Sequence, residues 1–203
     1  MNLRFLGDAL DHWKGSIFEQ LERTGVFQDF AVDPMASDGG SWQADDWKLF
    51  ARLLRINPSQ IIMHQMNESK LIDDRQSYFS MLTHRGDLFL DPDTGIATCR
   101  VNVCQRPQYL MPQELVELME AEKERIVAVY QHIRAKKTRE RLEEILEVVR
   151  TDHSRFACCS YESGTVAMIF FSQSIERIQS VKNHFRSELG RHASGRINLW
   201  NFT

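Results

Sequence analysis

Apolar residues recur at intervals of three and four along several stretches of the chain, which is the spacing of one helix face. The first stretch covers residues 6–22 and ends at Thr24-Gly25, because glycine readily takes the conformation that closes a helix. The same spacing predicts further helices over about residues 42–54, 73–82, 114–123, 138–149 and 174–189.

Short runs of β-branched and aromatic residues alternate with these helices and predict strands. The run at residues 26–32 ends at Asp33-Pro34, because the missing N–H of proline would interrupt a strand ladder. A hairpin is predicted from residues 156–160 and 165–171, which flank a short glycine turn. The other predicted extended segments, in chain order, are residues 61–63, 87–90, 126–130 and 197–202.

Strands that alternate with helices favour an α/β fold. We therefore predict a doubly wound three-layer sandwich, with a mostly parallel sheet and an antiparallel C-terminal hairpin strand at its edge. Neither a linker nor an internal repeat interrupts the pattern. The sequence accordingly predicts a single domain over residues 1–203, with the helical segment of residues 1–25 packed on its core.

The composition narrows the class of protein. With 42% hydrophobic and 26% charged residues, the chain is unlike a fibre or a disordered tail. It has no apolar run of roughly 18 residues and no apolar signal core near its start, so we expect a cytoplasmic protein without a membrane partner. The cysteines are expected to be reduced and partly buried, with a shared zinc site as the alternative: Cys99, Cys104, Cys158 and Cys159.

Polar residues follow three of the predicted strands. In open parallel sheets, ligands bind outside the carboxyl ends of the strands. The segments Asp33–Gly40, Asp91–Gly95 and Tyr130–Arg134 should therefore share one rim of the sheet, and this rim is the predicted site.

Two of these segments suggest a family. Asp33-Pro34-Met35-Ala36-Ser37-Asp38-Gly39 resembles motif I of S-adenosylmethionine-dependent methyltransferases, where a strand ends in a glycine-rich turn around the amino-acid part of the cofactor. Asp91-Pro92-Asp93 resembles their motif IV, which reads D/N-P-P-Y/F in the amino-methylating members. The late hairpin is similar to the reversed final strand of that family. The resemblance spans roughly residues 26–171 and departs from the family at Ala36-Ser37, which lack its glycines, and at Asp93, which replaces a proline.

The resemblance implies a Rossmann-like domain and a methyltransferase-like protein that acts on nucleic acid, with S-adenosylmethionine as cofactor. Asp91 and Asp93 would accept hydrogen bonds from the methyl acceptor. His132 is a candidate general base, and Tyr130 could stack on a base. The full set of predicted site residues is catalytic Asp91, Asp93 and His132, cofactor-binding Asp33, Asp38, Gly39 and Gly40, and substrate-binding Lys14, Tyr130 and Arg134.

Three alternatives stay open for the same residues. Asp33, Asp38, Asp91 and Asp93 could instead hold Mg²⁺ in a metal-dependent nuclease or phosphohydrolase. The missing motif I glycines favour a catalytically silent scaffold or interaction protein. Asp91 could also serve only to cap its own backbone in a tight turn, with Gly95 at positive φ.

Charge gives a weaker indication of a partner. The chain has 25 basic and 28 acidic residues, a formal net charge of −3, which argues against a dedicated electrostatic nucleic-acid binder. Local runs could still contact phosphates, although Glu140, Glu143 and Glu144 dilute the first run and a solvated helix face explains it equally well. The first run comprises Arg134, Lys136, Lys137, Arg139 and Arg141, and a second cluster comprises Lys182, Arg186, Arg191 and Arg196.

Overall fold

The computed structural model describes residues 1–37, 42–62, 71–72, 74–82, 84–133, 137–152 and 155–202. Each predicted helix is present there, with ends shifted by a few residues. The helices are α1 (Ala9–Arg23), α2 (Ala44–Leu54), α3 (Arg75–Ser80), α4 (Pro112–Glu120), α5 (Thr138–Asp152) and α6 (Ile175–Leu189).

Local chemistry explains the helix ends. The Asp8 side chain accepts hydrogen bonds from the backbone N–H groups of Leu10 and Asp11, so α1 begins with an N-cap. Pro112 occupies the first turn of α4, where its missing N–H removes no helix hydrogen bond. Gly190 ends α6 at a φ of 53°, in the region that favours glycine.

The main sheet has six strands in the order β1-β2-β5-β7-β6-β8. Two further short strands, β3 (Gly95–Ile96) and β4 (Tyr109–Leu110), pair in parallel beside it. The six strands of the main sheet are β1 (Ala31–Asp33), β2 (Leu88–Leu90), β5 (Val127–His132), β6 (Phe156–Ser163), β7 (Val166–Ser172) and β8 (Ile197–Phe202).

The direction of the strands confirms an α/β fold with a mostly parallel sheet. Strands β1, β2 and β5 pair in parallel, with Val32 opposite Phe89 and Phe89 opposite Ala128. Strand β7 is antiparallel to both β5 and β6, so β6 runs in the same direction as β5. The hairpin prediction is confirmed, but its expected position at the sheet edge is wrong. Strand β7 is inserted between β5 and β6, and β8 forms the edge next to β6.

The first strand is shorter than the hydrophobic run predicts. Val26 and Phe27 donate backbone hydrogen bonds to Leu21 O and so close α1. Asp29 has a φ of 46°, which breaks an extended conformation. Phe27 and Phe30 instead stack at 4.4 Å between ring centroids within the core. Their apolar character reflects burial in a turn, and strand pairing begins at Ala31.

Alternate residues of the sheet enter two hydrophobic clusters. Val32, Phe89 and Ala128 join the cluster that contains the apolar faces of α1, α2 and α6. Their chain neighbours Leu88 and Val127 join the second cluster, with α4 and α5. Because successive side chains of a strand point to opposite faces, helices cover both faces of the sheet. This leaves the carboxyl ends of β1, β2 and β5 as a shared rim.

Candidate functional site

The rim brings together the loops that follow β1 and β2. Asp33 lies opposite Leu90 in the parallel register, and the backbone N–H of Asp91 donates to Asp33 O at 3.1 Å. The Met1 amino nitrogen lies 2.6 Å from both Pro34 O and Asp91 O, and so bridges the two loops. The sequence placed these two segments on one rim, and the structure makes them direct neighbours.

Asp33 is a fully buried carboxylate at the end of β1. Its Oδ1 accepts hydrogen bonds from Tyr78 Oη at 2.7 Å and from the Met35 backbone N–H at 2.9 Å. Its Oδ2 is buried and has no hydrogen-bond partner among the described residues. Burial raises the pKa of Asp33 to about 6, despite the two hydrogen bonds that favour the charged form. One oxygen of this side chain therefore remains available to a donor.

The turn after β1 has a strained backbone. Met35 is completely buried and has a φ of 45°, a left-handed conformation that costs a non-glycine residue roughly 1 to 2 kcal/mol. The hydrogen bond from its N–H to Asp33 and a contact of 2.8 Å from the Met1 nitrogen to its carbonyl hold it there. Backbone strain of this kind is concentrated at functional sites in proteins.

Lys14 is buried at the centre of an ion-pair cluster. Its Nζ donates to Asp91 Oδ2 and Oδ1 at 2.7 and 2.9 Å, and to Asp11 Oδ1 at 3.2 Å. The same ammonium lies 4.4 Å from the ring centroid of Tyr130. Asp11 also accepts the backbone N–H of Gly7 through Oδ2 at 2.9 Å. These contacts connect α1 to the end of β2.

Burial by itself would lower the pKa of Lys14, but the carboxylates of Asp91 and Asp11 outweigh it, so the net shift is upward. Burial raises the pKa of Asp11, although Lys14 opposes that shift. Lys14 is therefore held as a cation.

The structure changes the part assigned to Lys14. We expected it to face the rim and contact an anionic substrate, but it is only 3% exposed and its three donor contacts go to carboxylates of the protein. The Asp91 side chain likewise binds this ammonium, which makes the interpretation of Asp91 as a backbone cap wrong. The backbone-capping carboxylate in this region is Asp33, and Gly95 does take positive φ, at 116°.

Asp93, Tyr130 and His132 lie beside this cluster. The hydroxyl of Ser37 donates to Asp93 Oδ2, and the Met1 nitrogen lies 3.5 Å from Asp93 Oδ1. Tyr130 Oη lies 3.4 Å from His132 Nε2, with their rings nearly perpendicular. His132 is the last residue of β5 rather than part of a loop, because it still pairs with Val166 of β7.

These side chains line a cleft of about 150 Å³, which we call the acidic cleft. Asp8, Asp11, Asp91 and Asp93 supply its carboxylates, and Tyr130, His132 and Phe5 supply its rings. Carboxylates in a partly desolvated cleft attract positively charged groups and N–H donors. The cleft therefore suits a ligand that presents such groups.

Sequence reasoning missed Asp11, Tyr78, Met35 and Phe5 as parts of this region. For Asp11 a signal was present: the three-residue spacing to Lys14 predicts a pair, and Lys14 lies at helical spacing from Leu10 and Ile17 on the apolar stripe. A charged residue on an apolar stripe is buried when the helix docks, and then needs a partner. Tyr78 lies 45 positions from the Asp33 oxygen that it contacts, and no local pattern indicates that pairing.

Several predicted residues lie outside the described part of the chain. They are Asp38, Gly39, Gly40, Arg134 and Lys136. The described members of the first basic run are paired within α5 or just before it: Lys137 with Glu140 at 3.9 Å, Arg139 with Glu143 at 2.9 Å and Arg141 with Glu144 at 3.4 Å. Within the described residues this run is therefore a mixed-charge surface rather than an unopposed basic one.

The metal and thiol alternatives gain no geometry from the described residues. In that part of the chain, no three His, Cys, Asp or Glu side chains are placed to hold a metal ion together. Cys158 and Cys159 are buried in β6 and face opposite hydrophobic clusters, and burial raises the pKa of both thiols. Cys99 and Cys104 are exposed. Since neighbouring strand residues point apart, the adjacent pair cannot bind one zinc ion.

Comparison with known proteins adds little to this description. No family model matches the chain, and no curated protein matches it. One similar solved structure is that of protein LPL1258 from Legionella pneumophila str. Philadelphia 1, of the family model DUF519. The match has 9% sequence identity and a TM-score of 0.44, and covers 86% of this chain and 60% of that protein. Such a score supports no inference about function.

The described part of the chain contains no helix with the length and apolar character of a membrane span. A cytoplasmic location stays a prediction.

Proposed function

We propose that this chain is a methyltransferase that uses S-adenosylmethionine and methylates an amino nitrogen at the acidic cleft. The observation that carries the proposal is the buried Lys14, Asp91 and Asp11 cluster at the carboxyl end of β2, directly beside the strained turn after β1. Ligands of parallel sheets bind at such ends.

The strand arrangement supports the same proposal. The resemblance in motifs I and IV implies a sheet with a reversed final strand, and β7 is a reversed strand inserted between β5 and β6. With a hydrophobic cluster on each face of the sheet, we describe the fold in this proposal as a doubly wound, Rossmann-like three-layer sandwich.

The described residues fit the cofactor in charge and in hydrogen bonding. When bound, S-adenosylmethionine supplies a methyl group on a positively charged sulfonium and also carries an ammonium. The buried, unpartnered Oδ2 of Asp33 can accept a hydrogen bond from an ammonium, which would satisfy an atom that is otherwise costly to bury. Asp38, Gly39 and Gly40 stay predicted cofactor contacts.

The other residues of the cleft would bind and orient the methyl acceptor. Lys14 fixes the Asp91 carboxylate through two hydrogen bonds, so Asp91 presents its remaining lone pairs in one orientation. Asp93 and Asp91 would accept N–H groups of the acceptor. His132 lines the same cleft and would receive the proton that the acceptor nitrogen loses. In this proposal Lys14 is a positioning residue rather than a substrate ligand.

Isothermal titration calorimetry of the full chain with S-adenosylmethionine tests the proposal. We expect micromolar binding, weakened at least roughly tenfold in Asp33→Asn, the loss of one charged hydrogen bond. The exposed Asp45→Asn is the matched control and should bind like the wild type.

A separate titration with Mg²⁺ or Mn²⁺ addresses the nuclease alternative. Metal binding that disappears in Asp91→Ala, together with silence toward S-adenosylmethionine, would replace methyl transfer by metal-dependent hydrolysis. Silence toward cofactor and metal alike, with folded protein, would overturn both and leave a non-catalytic scaffold.

A further inference from the structure

The mouth of the acidic cleft carries an exposed aromatic ring. Phe5 lines the cleft and is 51% exposed, although its neighbours Leu3 and Leu6 pack against the hydrophobic core. All three residues belong to or border one 3₁₀ turn, Leu3–Phe5. A large apolar side chain left in water beside a cleft is a feature of binding surfaces.

The turn that carries Phe5 is anchored at both of its ends. Asn2 Oδ1 accepts the backbone N–H of Arg4 at 2.9 Å, and Phe5 O accepts the N–H of Asp8 at 3.2 Å. The N–H of Gly7 then donates to the buried Asp11. Phe5 is thus tied to the same helix that supplies Lys14, so the ring has a defined place relative to the cleft.

A cation lies next to this ring. The Arg4 guanidinium carbon is 5.8 Å from the centroid of Phe5, within the range of a cation–π contact. Arg4 is exposed, and no carboxylate in the described part of the chain forms an ion pair with it. We call Arg4 and Phe5 together the aromatic platform.

The platform and the cleft have complementary demands on a ligand. The platform offers a flat apolar face beside one positive charge, whereas the cleft offers carboxylates that accept N–H groups. A ligand that matches both must combine a planar ring, an N–H donor and an anion. A nucleotide unit combines all three, because every base has a π-face and every unit a phosphate.

We propose that the aromatic platform binds one unpaired nucleotide of a single-stranded nucleic acid, with the base stacked on Phe5 and its phosphate near Arg4. The inference rests on the proposed function and names the substrate class of that site. A single strand is required because Phe5 can stack only on a base that has left its own stack. The base N–H groups then point toward Asp91 and Asp93.

Fluorescence anisotropy with labelled single-stranded RNA and DNA oligonucleotides of mixed sequence tests the platform. Phe5→Leu keeps an apolar side chain but removes the π-face, and should weaken binding roughly 10- to 100-fold. Arg4→Gln should weaken binding and flatten its dependence on salt by about one phosphate contact. The controls are Ile175→Ala and Arg52→Gln, an exposed apolar residue and an exposed cation elsewhere, which should bind like the wild type.

Urea unfolding of Phe5→Leu first establishes that the variant is folded. Wild-type binding by folded Phe5→Leu, or tighter binding of duplexes than of single strands, would overturn the inference. Competition by free mononucleotides at equal concentration would also overturn it, because the strand would then contribute nothing.

The cofactor titration separates the two proposals. Phe5-dependent strand binding without any S-adenosylmethionine binding would remove methyl transfer and keep the platform. Cofactor binding with Phe5-independent strand binding would do the reverse.

Discussion

Replacement of Lys14 by methionine should cost this protein much of its stability. Methionine has a similar length and keeps the apolar contacts of the lysine stem, so the change mainly removes the charge. Asp91 would then be a carboxylate only 2% exposed, without the two hydrogen bonds at 2.7 and 2.9 Å that now satisfy it. Asp11 would lose its contact at 3.2 Å as well.

The size of the effect follows from the geometry. At a separation of 2.7 Å and an effective dielectric constant of about 20, the attraction between Lys14 and Asp91 is about 6 kcal/mol. Relaxation and water entry recover part of this, and removal of one partner from a buried pair typically costs about 3 to 5 kcal/mol. We expect Lys14→Met to lose that amount of unfolding free energy.

Equilibrium urea unfolding of wild type and variant measures the loss. Lys48→Met is the matched control, because Lys48 forms the same i,i+3 pair with Asp45 on an exposed surface. Exposed pairs of this kind contribute less than about 1 kcal/mol. In addition, Lys14→Met with Asp91→Asn should lose less than the sum of the single variants, since neither charge is then left alone. A loss for Lys14→Met no larger than that of the control, or strict additivity, would refute the reasoning.

Two further predictions concern packing and pH. A Cβ added at Gly15 would lie 2.2 Å from Leu53 O, so Gly15→Ala should force α1 away from α2 and cost about 1 to 3 kcal/mol in urea unfolding; a loss equal to that of the exposed His12→Ala on the same helix would contradict this. The pKa of Asp33 is raised from 3.8 to about 6 in the folded state, so its contribution to stability is present below the lower value and is lost as the pH rises through the higher one. The stability of wild type relative to Asp33→Asn should therefore fall by up to about 3 kcal/mol between about pH 4 and pH 7, and a pH-independent difference would show that Asp33 is not buried as a strained carboxylate.

Local sequence patterns predict most of the secondary structure. The helix faces of α1, α2 and α6 depend on spacing within one segment, and β5 is a buried run with few alternatives. Residues 26–30 show where this reasoning fails. A stacked turn and a strand both select apolar and aromatic residues, so composition could not distinguish them. The Val26 and Phe27 hydrogen bonds back to Leu21 decided the outcome.

The sequence by itself determined an α/β chain with Asp33 and Asp91 at strand ends, because strand propensity and proline punctuation are local properties. Only the tertiary structure decided that β7 enters between β5 and β6 rather than at the edge, since pairing joins residues far apart in the chain. The same is true of Lys14. Its role was decided by a carboxylate 77 positions away, because docking α1 buried the ammonium and left it needing a partner of opposite charge.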